Sequence, residues 1–237
     1  MKGRGLNHDI PEADITAYIA KARNAPRITS MLGSFSDLVT GRKGRPDYPI
    51  TLDETLLGHD MAALRFADIR ARHAGVFNQH FVTSLPYVLE EQCRFGAAVL
   101  DYAEWLQEQE RRPLDYYGLG DASGVMGRAL AEAGAGKIRS LTCSPNIENE
   151  DVFYTGRTSA QANFFLGPFF GVTPQSLVER GMSHLSAGFD IIFEDTSFQM
   201  YSRERRIPIA LAARNLRSDG IFVMLEKFAH SEEPEFI

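Results

Sequence analysis

Residues 116–124, Tyr-Tyr-Gly-Leu-Gly-Asp-Ala-Ser-Gly, constrain the fold most, because a short apolar run breaks there into a glycine-rich turn. A helical pattern of apolar residues starts directly after the turn, at Val125 and Met126. A strand, a glycine turn and a helix in this order are typical of the first step of a nucleotide-binding α/β unit. The glycines let the backbone approach a ligand, and the helix presents unpaired N–H groups to it. The same pattern also occurs in an ordinary tight strand-to-helix turn, so the turn alone does not establish a ligand site.

The rest of the chain repeats the alternation of strands and helices. Further strands are predicted at 137–143, at 189–195 and at 220–226, and 164–168 reads as the end of another. Helical patterns lie between them, one starting at Thr173 and one running from about residue 203 or 208 to Leu216. Continuous apolar strands that alternate with helices indicate a parallel sheet covered on both faces. We therefore predict an α/β fold of the Rossmann-like type, with an open, mostly parallel sheet of about five strands.

Residues 1–76 are predicted to form an N-terminal extension of helices and a loop, and residues 77–237 the α/β domain. A first helix opens at Pro11, and a second is capped at Thr51 or Asp53 and ends near Gly75. A third helix, about residues 87–109, precedes the first strand and carries the single tryptophan, Trp105, which we expect to pack against the sheet.

Composition excludes several classes of protein. The net charge of −6 and the isoelectric point near 5.6 argue against a nucleic-acid binder that works through bulk charge. Cys93 and Cys143 lack metal-type spacing and are predicted to be free thiols in a reducing compartment. The histidines are scattered, so no metal site is predicted. The chain has no bilayer-length apolar run and no signal-peptide core near its N-terminus, which favours a cytoplasmic protein without membrane contact.

Three stretches carry a resemblance to a known family. Residues 77–89 resemble the phenylalanine-to-FPxMI segment that precedes the core, residues 116–124 are similar to YDLGxSxG, and residues 196–228 align without a gap through Glu-Lys-Phe at 226–228. In order and spacing the chain resembles the class I S-adenosylmethionine-dependent methyltransferases, most closely the carboxy-S-adenosylmethionine synthase branch. The resemblance covers about residues 77–228.

This resemblance implies a site for S-adenosylmethionine at the ends of the first, second and fourth strands. Asp121 is placed by its spacing to reach the sulfonium or the methionine amine. No catalytic residue is predicted, because methyl transfer needs mainly proximity and alignment. The residues predicted to bind the cofactor are Tyr117, Gly118, Gly120, Asp121, Ala122, Gly124, Thr142, Cys143, Ser144 and Glu194.

The cofactor motifs are degenerate at three positions where the family usually has an acid. Gly118, Thr142 and Pro168 stand there instead. A carboxylate that accepts from a buried diol contributes about 1.5–3 kcal/mol, so two such losses would weaken the ligand by roughly two to four powers of ten. The functional alternatives are therefore a methyltransferase that acts on an unidentified acceptor, and a degenerate methyltransferase fold that serves as a structural or interaction subunit of an assembly.

Two further expectations separate these alternatives. For an enzyme, Gly120→Val and Gly124→Val should abolish cofactor binding and leave the fold nearly intact. Glu194 either contacts the cofactor or serves as a base for an incoming nucleophile, or it is a strand-end acid that caps a helix or pairs with an arginine. The family usually adds two strands beyond the fifth, and the sequence ends soon after the fifth predicted strand. We therefore expect a protein partner or a homo-oligomer to cover the open edge.

Overall fold

The computed structural model describes residues 10–23, 33–34, 36–38, 42, 52–75, 78, 87–202 and 204–225. Its helices are α1 (Glu12–Arg23), α2 (Glu54–Leu57), α3 (Met61–His73), α4 (Val88–Glu110), α5 (Val125–Ala133), α6 (Ile147–Thr155), α7 (Pro174–Glu179) and α8 (Arg206–Ala213). Its strands are β1 (Leu114–Leu119), β2 (Ile138–Ser144), β3 (Ala162–Leu166), β4 (Phe189–Asp195) and β5 (Leu216–Leu225).

The five strands form one sheet in the order β3-β2-β1-β4-β5, and every pairing in it is parallel. The predicted α/β, Rossmann-like fold class is confirmed. The chain runs outward from β1 to β3, then crosses to β4 on the other side of β1. In open α/β sheets, ligands bind at the carboxyl ends of the strands beside such a reversal. The topology therefore directs attention to the carboxyl ends of β1 and β4.

Side chains alternate between the two faces of the sheet, and each face has its own core. On the first face, Tyr116 packs with Phe66 of α3, Val99 of α4 and Met126 of α5. The second-face core contains Tyr117 and residues of α1, α7 and α8. The predicted boundary at residue 76 stays a prediction, although α1 contributes to the core of the sheet.

Several local predictions are confirmed, and others are wrong for identifiable reasons. Helix α1 begins at Glu12, directly after Pro11, as predicted. The second helix is two helices, because Gly58 has a φ of 61° and ends α2. Trp105 is 49% exposed and stacks on Tyr102 instead of packing against the sheet.

Other differences lie after β2 and before β5. Helix α6 was not predicted, although Asn146 caps it by accepting from the Glu148 N–H. Pro208 is the third residue of α8, where its missing N–H needs no partner inside the helix, so α8 begins at Arg206. Strand β5 starts at Leu216, earlier than predicted. Most of the motif at 77–89, and all of 226–228, lie outside the described residues.

An ionic network holds the amino ends of the strands together. The buried carboxylate of Asp115 accepts from Arg139 Nε at 2.6 Å and Nη2 at 2.8 Å, and from Arg217 Nη2 at 2.5 Å. Asp190 accepts from the Asp115 N–H and from Arg112 Nη1, both at 2.8 Å. Because these residues belong to β1, β2, β4 and β5 and to the segment before β1, the network fixes the sheet at the end opposite the candidate site.

Candidate functional site

The glycine turn after β1 is packed against the chain itself. Gly120 and Gly124 have φ values of 92° and 77°, in the region that favours glycine. A Cβ added at Gly120 would lie 2.7 Å from the Asp195 carbonyl oxygen, and one at Gly124 would lie 2.4 Å from the ring of Phe153. The expectation that valine at either position would leave the fold nearly intact is therefore wrong. Ala122, a third residue of the turn, also has a positive φ, of 38°.

Asp121 completes the N-terminus of α5. Its carboxylate accepts from the Met126 N–H at 3.2 Å and from the Gly127 N–H at 2.8 Å. Burial raises the pKa of this carboxyl to about 6, although these two donors oppose the shift. A Cβ added at Gly118, where the family has an acid, would lie 3.2 Å from Asp121 Cβ. Asp121 thus occupies the space beside Gly118. The predicted contact of Asp121 with the cofactor stays a prediction.

A series of buried hydrogen bonds links helices α3 and α4, which cover the first face of the sheet, to the end of β4. Arg70 of α3 donates through Nη2 to Gln92 Oε1 of α4, and Gln92 Nε2 donates to Asp195 Oδ2 at 2.9 Å. The fully buried phenol of Tyr116 lies near enough to Asp121 and Asp195 for their charges to raise its pKa, in addition to the larger effect of burial. Sequence reasoning missed Arg70. The sequence feature that could have indicated these hydrogen bonds is Gln92, a polar residue on the apolar side of its helix.

Two asparagines that follow β2, Asn146 and Asn149, are not among the residues predicted from the sequence. Ser144 Oγ accepts from Asn149 Nδ2 at 2.8 Å and from the Asn146 N–H at 3.2 Å. Asn146 Nδ2 and Asn149 Oδ1 are buried and have no hydrogen-bond partner among the described residues. Thr142 is also buried, and its Oγ1 lies under α5, where it would be 2.8 Å from a Cβ added at Gly127. Because the Thr142 hydroxyl lies under α5, the two asparagine amides supply the polar groups at this strand end.

Three of the predicted site residues lie on the second face of the sheet, namely Tyr117, Cys143 and Glu194. The Tyr117 hydroxyl lies 3.0 Å from Cys143 Sγ within the core, and burial raises the pKa of that thiol to about 12. Glu194 is fully buried, and its Oε1 accepts from the Ser197 N–H at 2.5 Å and the Phe198 N–H at 3.1 Å. Glu194 thus caps the turn after β4, while the predicted cofactor contacts of all three residues stay predictions.

Matches to known proteins come from solved structures alone. No family model matches the chain, and no curated protein matches it. Eleven chains of solved structures do match. One is the crystal structure of coclaurine N-methyltransferase bound to N-methylheliamine and SAH, with 12% sequence identity and a TM-score of 0.38. The alignment covers 91% of this chain and 60% of that one, so this chain spans less than two thirds of that enzyme. The fold assignment rests on the strand order given above.

The described residues contain neither a group of metal ligands nor a helix that could cross a membrane. In this part of the chain, no three His, Cys, Asp or Glu side chains are grouped so that they could hold a metal ion. Among the described helices, none combines the length and the apolar character needed to cross a membrane.

Proposed function

We propose that the protein binds S-adenosylmethionine at the carboxyl edge of β1, β2 and β4 and transfers its methyl group to an unidentified acceptor. The strand order, with a glycine turn at the end of β1, supports a ligand at this edge. The resemblance of residues 116–124 and 196–228 to class I methyltransferases supports this choice of ligand. The proposal includes a cytoplasmic location and no nucleic-acid partner.

One observation carries the proposal: buried polar atoms without a hydrogen-bond partner gather at this edge. Leaving such an atom unpaired costs about 1–3 kcal/mol, so each needs an explanation. A nucleoside with an amino-acid tail offers both donors and acceptors to such atoms. Those at this edge, among the described residues, are Arg70 Nε, Tyr116 Oη, Asn146 Nδ2, Asn149 Oδ1 and Ser197 Oγ.

The residues divide by their place along the edge. Asn146 and Asn149, at the end of β2, would hold the ribose, since Asn149 Oδ1 can accept from a hydroxyl and Asn146 Nδ2 can donate to one. Tyr116 and Ser197, at β1 and after β4, would hold the amino-acid portion. When bound, the cofactor supplies a methyl group activated on its sulfonium. The protein then needs to orient that group and exclude water, which requires few reactive side chains.

A second function, a structural subunit without cofactor, is favoured by a different observation. Asp121 already satisfies the first N–H groups of α5, and the protein's own atoms fill the space beside Gly120 and Gly124. A turn completed in this way leaves fewer donors at the helix N-terminus for a ligand, since the Met126 and Gly127 N–H groups are already taken. On this alternative, a protein partner or a second copy covers the edge of the sheet at β5.

Calorimetric titration of the whole protein with S-adenosylmethionine and with S-adenosylhomocysteine tests the proposal. We expect micromolar binding, and we expect Asn149→Leu to weaken it roughly tenfold through the lost hydrogen bond. Gln175→Leu, on the exposed surface of α7, is the matched control and should bind like the wild type. If the wild type does not bind at millimolar ligand, the enzyme proposal fails and the structural alternative stands.

A further inference from the structure

Arg70 is a buried cation whose hydrogen bonds, within the described residues, go to neutral groups. Its residue is 3% exposed, in the last turn of α3. Nη2 donates to Gln92 Oε1 and, at 3.2 Å, to Asn78 Oδ1, while Nε has no partner. Both acceptors are side-chain amides. No carboxylate of the described residues lies within hydrogen-bond distance of this guanidinium.

A guanidinium in such a place is normally paired with an acid. Removing an ionised group from water costs several kcal/mol unless a counter-charge and hydrogen bonds replace the water. Asp121 and Asp195 attract Arg70 from a distance, and burial nevertheless lowers its pKa. Residues 76–86, which follow α3, include no acidic residue. Within the part of the chain that the structure describes, a five-donor fork therefore lies at the carboxyl edge without a direct anionic partner.

We propose that Arg70 binds the carboxylate of a small-molecule ligand at the carboxyl edge, with Gln92 holding the guanidinium in position. A planar fork matches the two oxygens of a carboxylate better than an ammonium does. The incoming carboxylate takes the Nε–H, which has no partner, and replaces the longer bond to Asn78. Tyr116 Oη, also buried and without a partner, is a further donor beside Asp121 and Asp195.

The carboxylate has two possible sources, and both lie at the same site. One is the amino-acid tail of S-adenosylmethionine, in which case the inference rests on the proposed function. The other is an acidic methyl acceptor or another small acid. Decarboxylated S-adenosylmethionine, which keeps the nucleoside and the sulfonium, isolates the first source. Malonate, tested at constant ionic strength against chloride, isolates the second.

The experiment compares the wild type, Arg70→Met and Arg65→Met in the whole protein. Arg65 lies on the exposed side of α3, so its replacement removes the same charge without touching the site. Calorimetry gives the dissociation constants for the two adenosyl compounds, and the midpoint of thermal unfolding reports malonate. We expect the wild type and Arg65→Met to prefer S-adenosylmethionine by roughly 10- to 100-fold, and Arg70→Met to lose that preference.

Each result decides the inference. Equal binding of the two adenosyl compounds, with stabilisation by malonate that Arg70→Met alone loses, assigns the carboxylate to a second small molecule. Equal binding with no malonate effect specific to Arg70 overturns the inference and leaves the proposed function intact. If neither adenosyl compound binds, the proposed function fails and the malonate result alone decides on Arg70. If circular dichroism shows Arg70→Met unfolded, Arg70→Lys replaces it, and unchanged binding by that variant overturns the inference.

Discussion

Asp121 has two opposing effects on the free energy of unfolding of the protein. Its carboxylate satisfies two N–H groups of α5, and its burial raises the pKa to about 6 from an ordinary value of 3.8. The folded protein therefore holds the proton more tightly than the unfolded chain does. It follows that ionisation of Asp121 lowers the free energy of unfolding as the pH rises from about 4 to about 6, and that this loss is complete above that range.

Asp121→Asn should remove that part of the pH dependence. We expect the free energy of unfolding of the variant, relative to the wild type, to increase as the pH is raised from about 4 to about 7. Urea unfolding at several pH values, followed by circular dichroism, measures it. Asp101→Asn, at an exposed position of α4, should show no such trend. A difference between Asp121→Asn and the wild type that does not vary with pH would contradict the assignment.

Gly96 allows helices α3 and α4 to pack closely. A Cβ at this position would lie 2.0 Å from the ring of Phe66, which is fully buried and has little room to move. We expect Gly96→Ala to lower the free energy of unfolding by about 1–3 kcal/mol through overpacking, as measured by urea unfolding. Gly75→Ala, where an added Cβ meets nothing within 4 Å, should change it by less than about 0.5 kcal/mol. Equal effects would show that the close contact is not the cause.

Among the elements, the strands are joined at their amino ends by the buried carboxylate of Asp115. Two arginines, from β2 and β5, bind it directly. Asp115→Asn removes the negative charge that both arginines bind, although Arg217 Nε stays 3.4 Å from Asp190 Oδ1. We expect a loss of about 3 kcal/mol in the free energy of unfolding. Glu104→Gln, which breaks an exposed pair with Lys137, should cost less than about 1 kcal/mol.

The same substitution tests whether the two ends of the sheet are separate in function. Asp115 is at the amino end of β1, and the candidate site is at the carboxyl ends. Ligand affinity of folded Asp115→Asn should therefore match the wild type in calorimetry. A large loss of affinity in protein that remains folded would show that the network also shapes the site.

Local sequence signals recovered the elements unevenly. The helix after the glycine turn runs from Val125 to Ala133, as its apolar spacing predicts, because that face packs on the sheet. Helix α6 has a weak apolar pattern and a polar start, and its position depends on Phe153 packing against the turn at Gly124. A contact of this kind leaves no period in the sequence, so the helix could not be predicted from it.

For the whole molecule, strand β5 forms one of the two edges of the sheet, opposite the edge at β3. Within the described residues, β5 pairs only with β4, and Ile221 on it is 51% exposed. An apolar strand with an unpaired edge is a surface on which another chain can add. We expect the protein to associate through this edge, and we expect Ile221→Lys to reduce the mass measured by light scattering to that of one chain. Val178→Lys, at a 53% exposed position on α7, should leave the association unchanged.

The sequence by itself determined the fold class and the position of the glycine turn. An apolar run, glycines at positive φ and a following amphipathic helix are local properties, and they require a strand-turn-helix wherever the rest of the chain goes. The alternation of strands and helices then requires a parallel sheet, and its carboxyl edge is where ligands bind. For these reasons the turn at Gly120 and the residues near it could be located from the sequence.

Only the tertiary structure decided which side chains meet at that edge and what each one contacts. Gln92 and Asp195 are 103 residues apart and share a hydrogen bond, and Arg70 joins them from a third element. Asp121 turns inward to cap its own helix, and Thr142 lies beneath it. Such pairings depend on how helices pack across the sheet, where desolvation favours the pairing of buried polar groups, and no spacing along the chain encodes that outcome.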